Sequence, residues 1–247
     1  DGTINHRVST QQGFGTLGGP NITSMVAEIA TRALKAVWYQ KWFVHRRLRP
    51  EVYAGRIHFH QKGKAKYPFQ ADEYKKLAPV LKAVAAHNMK KGGEGLFLPM
   101  AFTEGSPTHP AYGAGHATVA GACVTVLKAF YYTDVTFADL KAPIVVPSED
   151  GTSVKMMKVK GDSCGPYTYD DLASKMTVLG ELNKLASNIS LGRNFAGVHW
   201  RSDHTESLRL GEELALQFLR ETVQTYNERV SFNVTRFDGT KSSIGNA

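Results

Sequence analysis

Seven side chains in three separated stretches carry chemistry in this 247-residue sequence. In "YQKWFVHRRLRPE", Lys41 and Arg49 stand eight residues apart. At ~100° per residue on a helix this is a little over two turns, so the two cationic heads can converge on one side. In "SPTHPAYGAGHATVAG", His109 and His116 flank a turn whose glycines, Gly113 and Gly115, let the backbone come close to a ligand. His116 stands where that turn gives way to a helix, so the amide of Gly115 and its neighbours can point at an anion. In "LGRNFAGVHWRSDH", Arg193 lies six residues before His199 with Gly197 between them, and Asp203 follows His199 by four. A carboxylate so spaced can accept the Nδ1 proton of the imidazole and leave Nε2 free as ligand or nucleophile.

Each stretch alone has a plain structural account. The first can be a solvated basic helix end, which His45, Arg46 and Arg47 suit. Either histidine of the second can be hydrogen-bonded for structure, and the third can be an ion-pair network. Taken together they describe a pocket for a tetrahedral oxyanion: cations neutralise it, amides orient it, one histidine bonds its central atom and another moves protons. Two other chemistries fail on spacing. A dinucleotide loop would need a third glycine where Thr118 stands. A zinc-protease helix would need its histidines closer than the seven residues separating His109 from His116, with a Glu between.

The elements that must position these residues are mainly helical. An opening loop covers residues 1–20. A helix runs from Asn21, read as its N-cap, through "NITSMVAEIATRALKAVWYQKWFVHRRL" and stops before Pro50. A second spans about Asp72 to Met89, closed by "KKGGEG", and a third runs from near His116 to about Tyr132. Short apolar runs on either side of Asp150-Gly151 signal a hairpin. Thr168 with Asp171 reads as a capping box opening a helix towards Leu191. A last helix covers roughly Ser202 to Arg229, leaving residues 231–247 as a polar tail. The expectation is a single mainly α domain over 1–247, a helical bundle with a small β-hairpin excursion.

Composition narrows the class. Hydrophobic residues at 42% and charged residues at 21% exclude wholesale disorder. The net charge of +8 favours anionic partners, but no nucleic-acid-binding signature accompanies it. No apolar run approaches membrane-spanning length, so no membrane partner is expected, and the N-terminus lacks a signal-peptide pattern. The chain starts without Met, as a processed product or the C-terminal part of something longer would. Cys123 falls in a helical run and Cys164 in a loop, with no disulfide framework visible. The compartment stays open.

The three stretches resemble the signature motifs of vanadium-dependent haloperoxidases and of the acid phosphatases related to them, the type 2 phosphatidic acid phosphatase superfamily. Lys41, Arg49 and Pro50 match the first motif in its longer spacing, and Gly113-Ala114-Gly115-His116 matches the second loosely. Arg193, His199 and Asp203 match the third, with Gly192 in place of a serine. His109 is similar to a second active-site histidine of the algal-type bromoperoxidase branch, and the likeness runs from about Phe14 to Leu219. Ala114 stands where most relatives carry a serine whose hydroxyl binds a vanadate oxygen. Trp38 falls where several bromoperoxidases have Arg and others Trp.

The resemblance implies a bundle of the haloperoxidase and acid phosphatase type, forming the C-terminal, active-site-bearing part of a longer, homo-oligomeric architecture. It implies vanadate bonded by His199 Nε2, with Lys41, Arg49, Arg193 and the Gly115 amide holding its oxygens. His116 would hydrogen-bond a vanadate oxygen and serve as acid–base, and Lys41 would also polarise the peroxide. Asp203 would orient His199, His109 would tune the proton supply or the halide position, and Trp38 would line the halide pocket. Hydrogen peroxide would oxidise bromide or iodide to hypohalous acid, which halogenates small organic acceptors. The alternative it carries is a phosphatase using the same pocket, with His199 attacking phosphorus and His116 protonating the leaving group.

Overall fold

The computed structural model describes residues 14–158 and 160–245, so the expected opening loop lies outside the described residues as far as residue 13. Helix α1, Gly19–Tyr39, starts two residues before Asn21. Pro20 explains the early start, because its missing N–H would be unpaired in a first turn anyway. The Asn21 carboxamide instead accepts from the Leu17 amide at 3.1 Å. Ile22, Met25, Ile29, Ala33 and Val37 form its buried stripe.

The expected continuation to Pro50 does not occur. At Gln40–His45 the coil widens into a π-helical turn, closed by Arg46 in the left-handed region at φ 47. The chain then runs extended to Arg49, and Pro50 opens the next helix, α2, Pro50–Gln61, rather than ending the previous one. Proline is as compatible with a first helical turn as it is incompatible with an interior. Helix α3, Ala71–Lys90, is within one residue of expectation at each end and begins with a Gln70/Glu73 capping box.

Helix α4, Gly115–Phe130, is the centre of the bundle, packed against α1, α7 (Val178–Phe195) and α8 (Arg201–Val223). Its contact with α8 is backbone to backbone. A methyl group at Gly121 would overlap the Leu208 carbonyl, and one at Gly211 the Thr118 carbonyl. The apolar core between these helices includes Ile29, Val126, Phe130, Leu216 and Leu219.

Between α4 and α7 the chain leaves the bundle. It forms α5 (Phe137–Leu140), the antiparallel pair β1 (Ile144–Pro147) and β2 (Val154–Met157), the pair β3 (Ser163–Cys164) and β4 (Tyr167–Thr168), and α6 (Tyr169–Ala173). The β1–β2 hairpin is the one expected around Asp150-Gly151. The excursion has its own small core of Ile144, Val146, Met157, Cys164, Tyr169 and Ala173. Thr168 does cap a helix, accepting from the Asp171 amide at 3.2 Å, but that helix is only α6. The long helix restarts at a second cap, Thr177, which accepts from Gly180 at 3.0 Å. The break is needed because Met176 and Thr177 pair back to the stretch entering the excursion: Phe137 N donates to Met176 O at 2.9 Å, and Thr136 bridges Thr177.

The last helix ends at Val223, short of Arg229, and the expected polar tail is a hairpin of β5 (Ser231–Thr235) and β6 (Lys241–Gly245). Phe232, Val234 and Ile244 point inward and complete the bundle core, since alternate side chains of a strand share one face. Among the described residues no helix is long and apolar enough to cross a membrane.

Candidate active site

The breaks in the helices build the site. The π-helical turn carries Lys41, Arg49 is the N-cap of α2, and His109 lies in the loop before α4. Gly115 and His116 open α4, Arg193 sits in the last turn of α7, His199 in the α7–α8 connection and Asp203 in the first turn of α8. Lys41 and Arg49 therefore converge from two elements, not from one helix face as their spacing suggested.

All of these except Asp203 line one cavity of about 490 Å³, together with Trp38 and apolar walls that include Leu34, Val119, Cys123 and Ile189. Trp38 is half exposed at 50%. Ala114 is buried and is not part of the wall; its amide donates to Ser207 Oγ at 2.7 Å.

Lys41 and Arg49 are nearly inaccessible to solvent, although both side chains are cationic in water. Lys41 Nζ donates to the carbonyls of Pro110 at 2.7 Å and Ala111 at 3.3 Å. Burial, aided by the charges of Arg49 and Arg193 and opposed by Asp203, pushes its pKa down from 10.5 to about 7. Arg49 donates to His109 O at 2.9 Å and Val198 O at 2.8 Å, and burial lowers its pKa to about 10. Arg193 Nε is buried with no hydrogen-bond partner among the described residues. The first turn of α4 has no side-chain cap, which leaves its leading amides unpaired within the helix.

The partners of His199 fix its tautomer. Arg49 Nη1 lies 2.9 Å from Nε2, and a guanidinium can only donate, so Nε2 accepts and carries a lone pair. The ring proton is then on Nδ1, donated to Asp203 Oδ2 at 2.9 Å. Burial lowers the His199 pKa to about 4 despite that carboxylate, which keeps the ring neutral near pH 7. The same reasoning applies to His109: Nδ1, 3.0 Å from Arg49 Nη2, accepts, which leaves the proton on Nε2. Desolvation first, then Lys41 and Arg49, lowers its pKa. His116 is the exposed histidine of the three, its pKa lowered by desolvation and by Arg193 and Lys41.

Three buried or half-buried cations facing one cavity, one of them with an orphaned donor, need a polyanion to neutralise them. The carboxylate at hand, Asp203, is turned away to His199 and Arg47. Among the described residues no group of three His, Cys, Asp or Glu side chains is placed to hold a metal ion. The donor set is thus one imidazole lone pair with cationic and amide donors around it, which fits an oxyanion such as vanadate or phosphate.

Several supporting residues escaped the sequence reading. Asn194 Nδ2 donates to His199 O at 2.9 Å and holds the connection that carries the imidazole. Ser207, one turn after Asp203, fixes the start of the α4 turn through Ala114. Arg47, read as part of a solvated helix end, reaches Asp203 Oδ1 at 3.1 Å. The one signal for Leu34 was its spacing from Trp38 and Lys41, which puts all three on one side of a helix.

Comparison with known proteins gives this architecture its class. The profile of the VCPO second helical-bundle domain matches residues 22–228, and the chain belongs to that family. Among curated relatives, it is 41% identical over 250 residues to a vanadium-dependent bromoperoxidase of Corallina pilulifera, covering 96% of this chain and 39% of that protein. A vanadium-dependent bromoperoxidase of Ascophyllum nodosum is 37% identical over 237 residues, again with 39% of its length covered. Among solved structures, a homohexameric vanadate-dependent bromoperoxidase of Ascophyllum nodosum superposes with a TM-score of 0.78 at 32% identity, covering 96% of this chain and 42% of that one. The chain thus spans about two fifths of the length of the relatives it matches.

Proposed function

We propose that the chain is the active-site-bearing domain of a vanadate-dependent haloperoxidase that uses hydrogen peroxide to oxidise bromide or iodide to hypohalous acid. The observation that carries this reading is the convergence of Lys41, Arg49 and the orphaned Arg193 Nε around the lone pair of His199 Nε2. Its relatives' names support bromide chemistry rather than phosphate hydrolysis, and no feature of the cavity favours the phosphatase alternative. The homohexameric relative supports a homo-oligomer.

When bound, vanadate supplies Lewis-acid activation of peroxide without changing oxidation state. Every other part of the task falls to the protein. His199 Nε2 would supply the covalent bond to the chain, with Asp203 keeping the ring proton on Nδ1. Arg49 Nη1, which meets Nε2 at 2.9 Å, would donate to the oxyanion instead. Arg193 Nε, the spare Lys41 proton and the Gly115 amide would hold its oxygens. His116, its pKa lowered and its ring reached by solvent, would serve as the acid–base that takes the proton of incoming peroxide and passes it to the hydroxide that leaves. His109 offers an Nε2–H donor, and Trp38 with Leu34 and Val119 keeps the halide side of the cavity dry. Small organic acceptors are halogenated by the released product.

The test is to add orthovanadate to metal-free protein and follow peroxide-driven bromination of a phenolic dye. Bromination that appears only with vanadate, and falls as phosphate is added, is expected. Hydrolysis of p-nitrophenyl phosphate with no bromination would favour the phosphatase instead.

A further inference from the structure

We infer that Arg47 is a positioning residue of this pocket: it clamps Asp203 so that His199 presents its Nε2 lone pair to the bound oxyanion. The inference rests on the proposed oxyanion role of the site.

Asp203 is wholly buried. Its Oδ2 accepts from His199 Nδ1 at 2.9 Å and from the Trp200 amide at 2.9 Å. Its Oδ1 accepts from Arg47 Nη1 at 3.1 Å, with no other donor among the described residues. The carboxylate therefore has one orientation that satisfies both oxygens, and Arg47 supplies half of it. The same nitrogen also donates to Ser202 Oγ at 2.7 Å. The guanidinium lies 5.7 Å from the Tyr112 ring centroid and 5.5 Å from that of Trp200, both within cation–π range.

The backbone of the residue is held as well, its carbonyl accepting from the Ala111 amide at 2.9 Å. Its neighbour Leu48 accepts from Trp200 Nε1 at 2.9 Å. One residue thus ties together the stretches that carry Lys41 and Arg49, His109 and His116, and His199 and Asp203.

An arginine that is 41% exposed would contribute little in an ordinary surface pair. Here the partner is at 0% exposure, so removing the arginine leaves a buried carboxylate oxygen unpaired and free to rotate. A lysine could restore charge but neither the placement of a broad guanidinium between Tyr112 and Trp200 nor the fixed direction of its donors.

The readout is oxyanion binding measured by equilibrium dialysis, with vanadate and inorganic phosphate as separate probes. Vanadate engages His199 Nε2 as well as the cations, whereas phosphate at rest uses the cations and amides alone. In Arg47→Met the vanadate dissociation constant should rise by about tenfold to a hundredfold, the usual effect of losing a group that orients a ligand. Phosphate affinity should change by less than about threefold, and Arg47→Lys should fall between wild type and Arg47→Met. In a cycle with Asp203→Asn, the double variant should be no worse than Asp203→Asn alone, because the arginine acts only through the aspartate. Wild-type vanadate affinity in Arg47→Met, equal loss of both oxyanions, or full additivity with Asp203→Asn would each overturn the inference. The cavity of about 490 Å³ beside Arg47, lined by Leu48, Tyr53, Leu77 and Trp200, gives the methionine room. Should that variant still fail to fold, Arg47→Lys decides: vanadate binding equal to wild type sinks the clamp. Absence of vanadate binding in the wild-type protein would instead refute the proposed function itself.

Discussion

His199 is constrained from both ring nitrogens, and this decides what it can bond. Arg49 makes Nε2 an acceptor and Asp203 makes Nδ1 a donor. If His199 is the proposed covalent anchor, His199→Ala removes it while the cations remain, so dialysis should show vanadate retention lost and phosphate binding largely kept. Equal retention of vanadate in variant and wild type would remove His199 from the ligand role. Lys41 sets a second expectation. Its pKa is about 7 in the folded chain, below the ordinary 10.5, so between these values the unfolded chain holds more protons. Stability of the oxyanion-free protein should therefore rise as pH goes from about 7 towards 10, by a few kcal/mol at most, and level off below 7 where both states are protonated. Buried Lys128, lowered to about 8, acts in the same direction but is remote from the pocket. The part of the slope that Lys41→Met abolishes, and that saturating phosphate flattens in wild type, is the part due to Lys41. Urea denaturation at pH 7 and pH 9 measures it, and a slope unmoved by either treatment would count against a strained ammonium in the pocket.

Elements do what single motif residues cannot, since they hold two motifs at one distance. The first turn of α4 carries Gly115 and His116, the first turn of α8 carries Asp203, and the two helices touch through Gly121 and Gly211. Gly211→Ala would drive a methyl group into the Thr118 carbonyl, and overpacking of this kind costs roughly 1–3 kcal/mol. A lower denaturation midpoint accompanied by weaker vanadate binding is expected; unchanged binding would mean that the helix separation does not set the geometry. The motif residues themselves were legible because cations, glycines and histidines at these spacings together suit little besides an oxyanion pocket. What joins them was not. A π-helical turn has no residue signature, so Lys41 and Arg49 read as one helix, and Arg47 looked like its neighbour Arg46. The terminal hairpin was hidden for another reason: "KSSIG" holds a single large apolar residue, Ile244, and strand pairing with Phe232 is a tertiary event. The Thr168 cap was legible, but the second cap at Thr177 only makes sense once Thr136 lies beside it.

At the scale of the whole molecule the described residues form three apolar clusters of unequal standing: the main bundle core, a small one of Ala120, Val124 and Ala186 between α4 and α7, and that of the excursion. The bundle core is shared by α1, α4, α8 and the terminal hairpin, while the excursion after α4 packs on itself. Its ends are already joined, with Val178 N donating to Val135 O at 3.2 Å and Leu179 N to Thr133 O at 2.9 Å. Replacing residues 137–176 by a short Gly-Ser linker should therefore leave phosphate and vanadate affinity within about threefold of wild type, since closing a loop whose ends are adjacent costs little. Dialysis on the shortened chain checks this, and loss of both oxyanions would show that the excursion supports the pocket.

That same zippered base has a consequence for descent. A segment that enters and leaves at neighbouring points, and keeps its own apolar interior, can be lengthened, trimmed or exchanged without moving the helices that meet at the pocket. Mutational drift in the excursion is then screened only by its own folding, while substitutions at the α4–α8 crossing are screened by chemistry. Related chains should differ most between Thr136 and Thr177 and least around Gly121 and Gly211, so the place where a lineage can acquire a new surface is already marked in this fold.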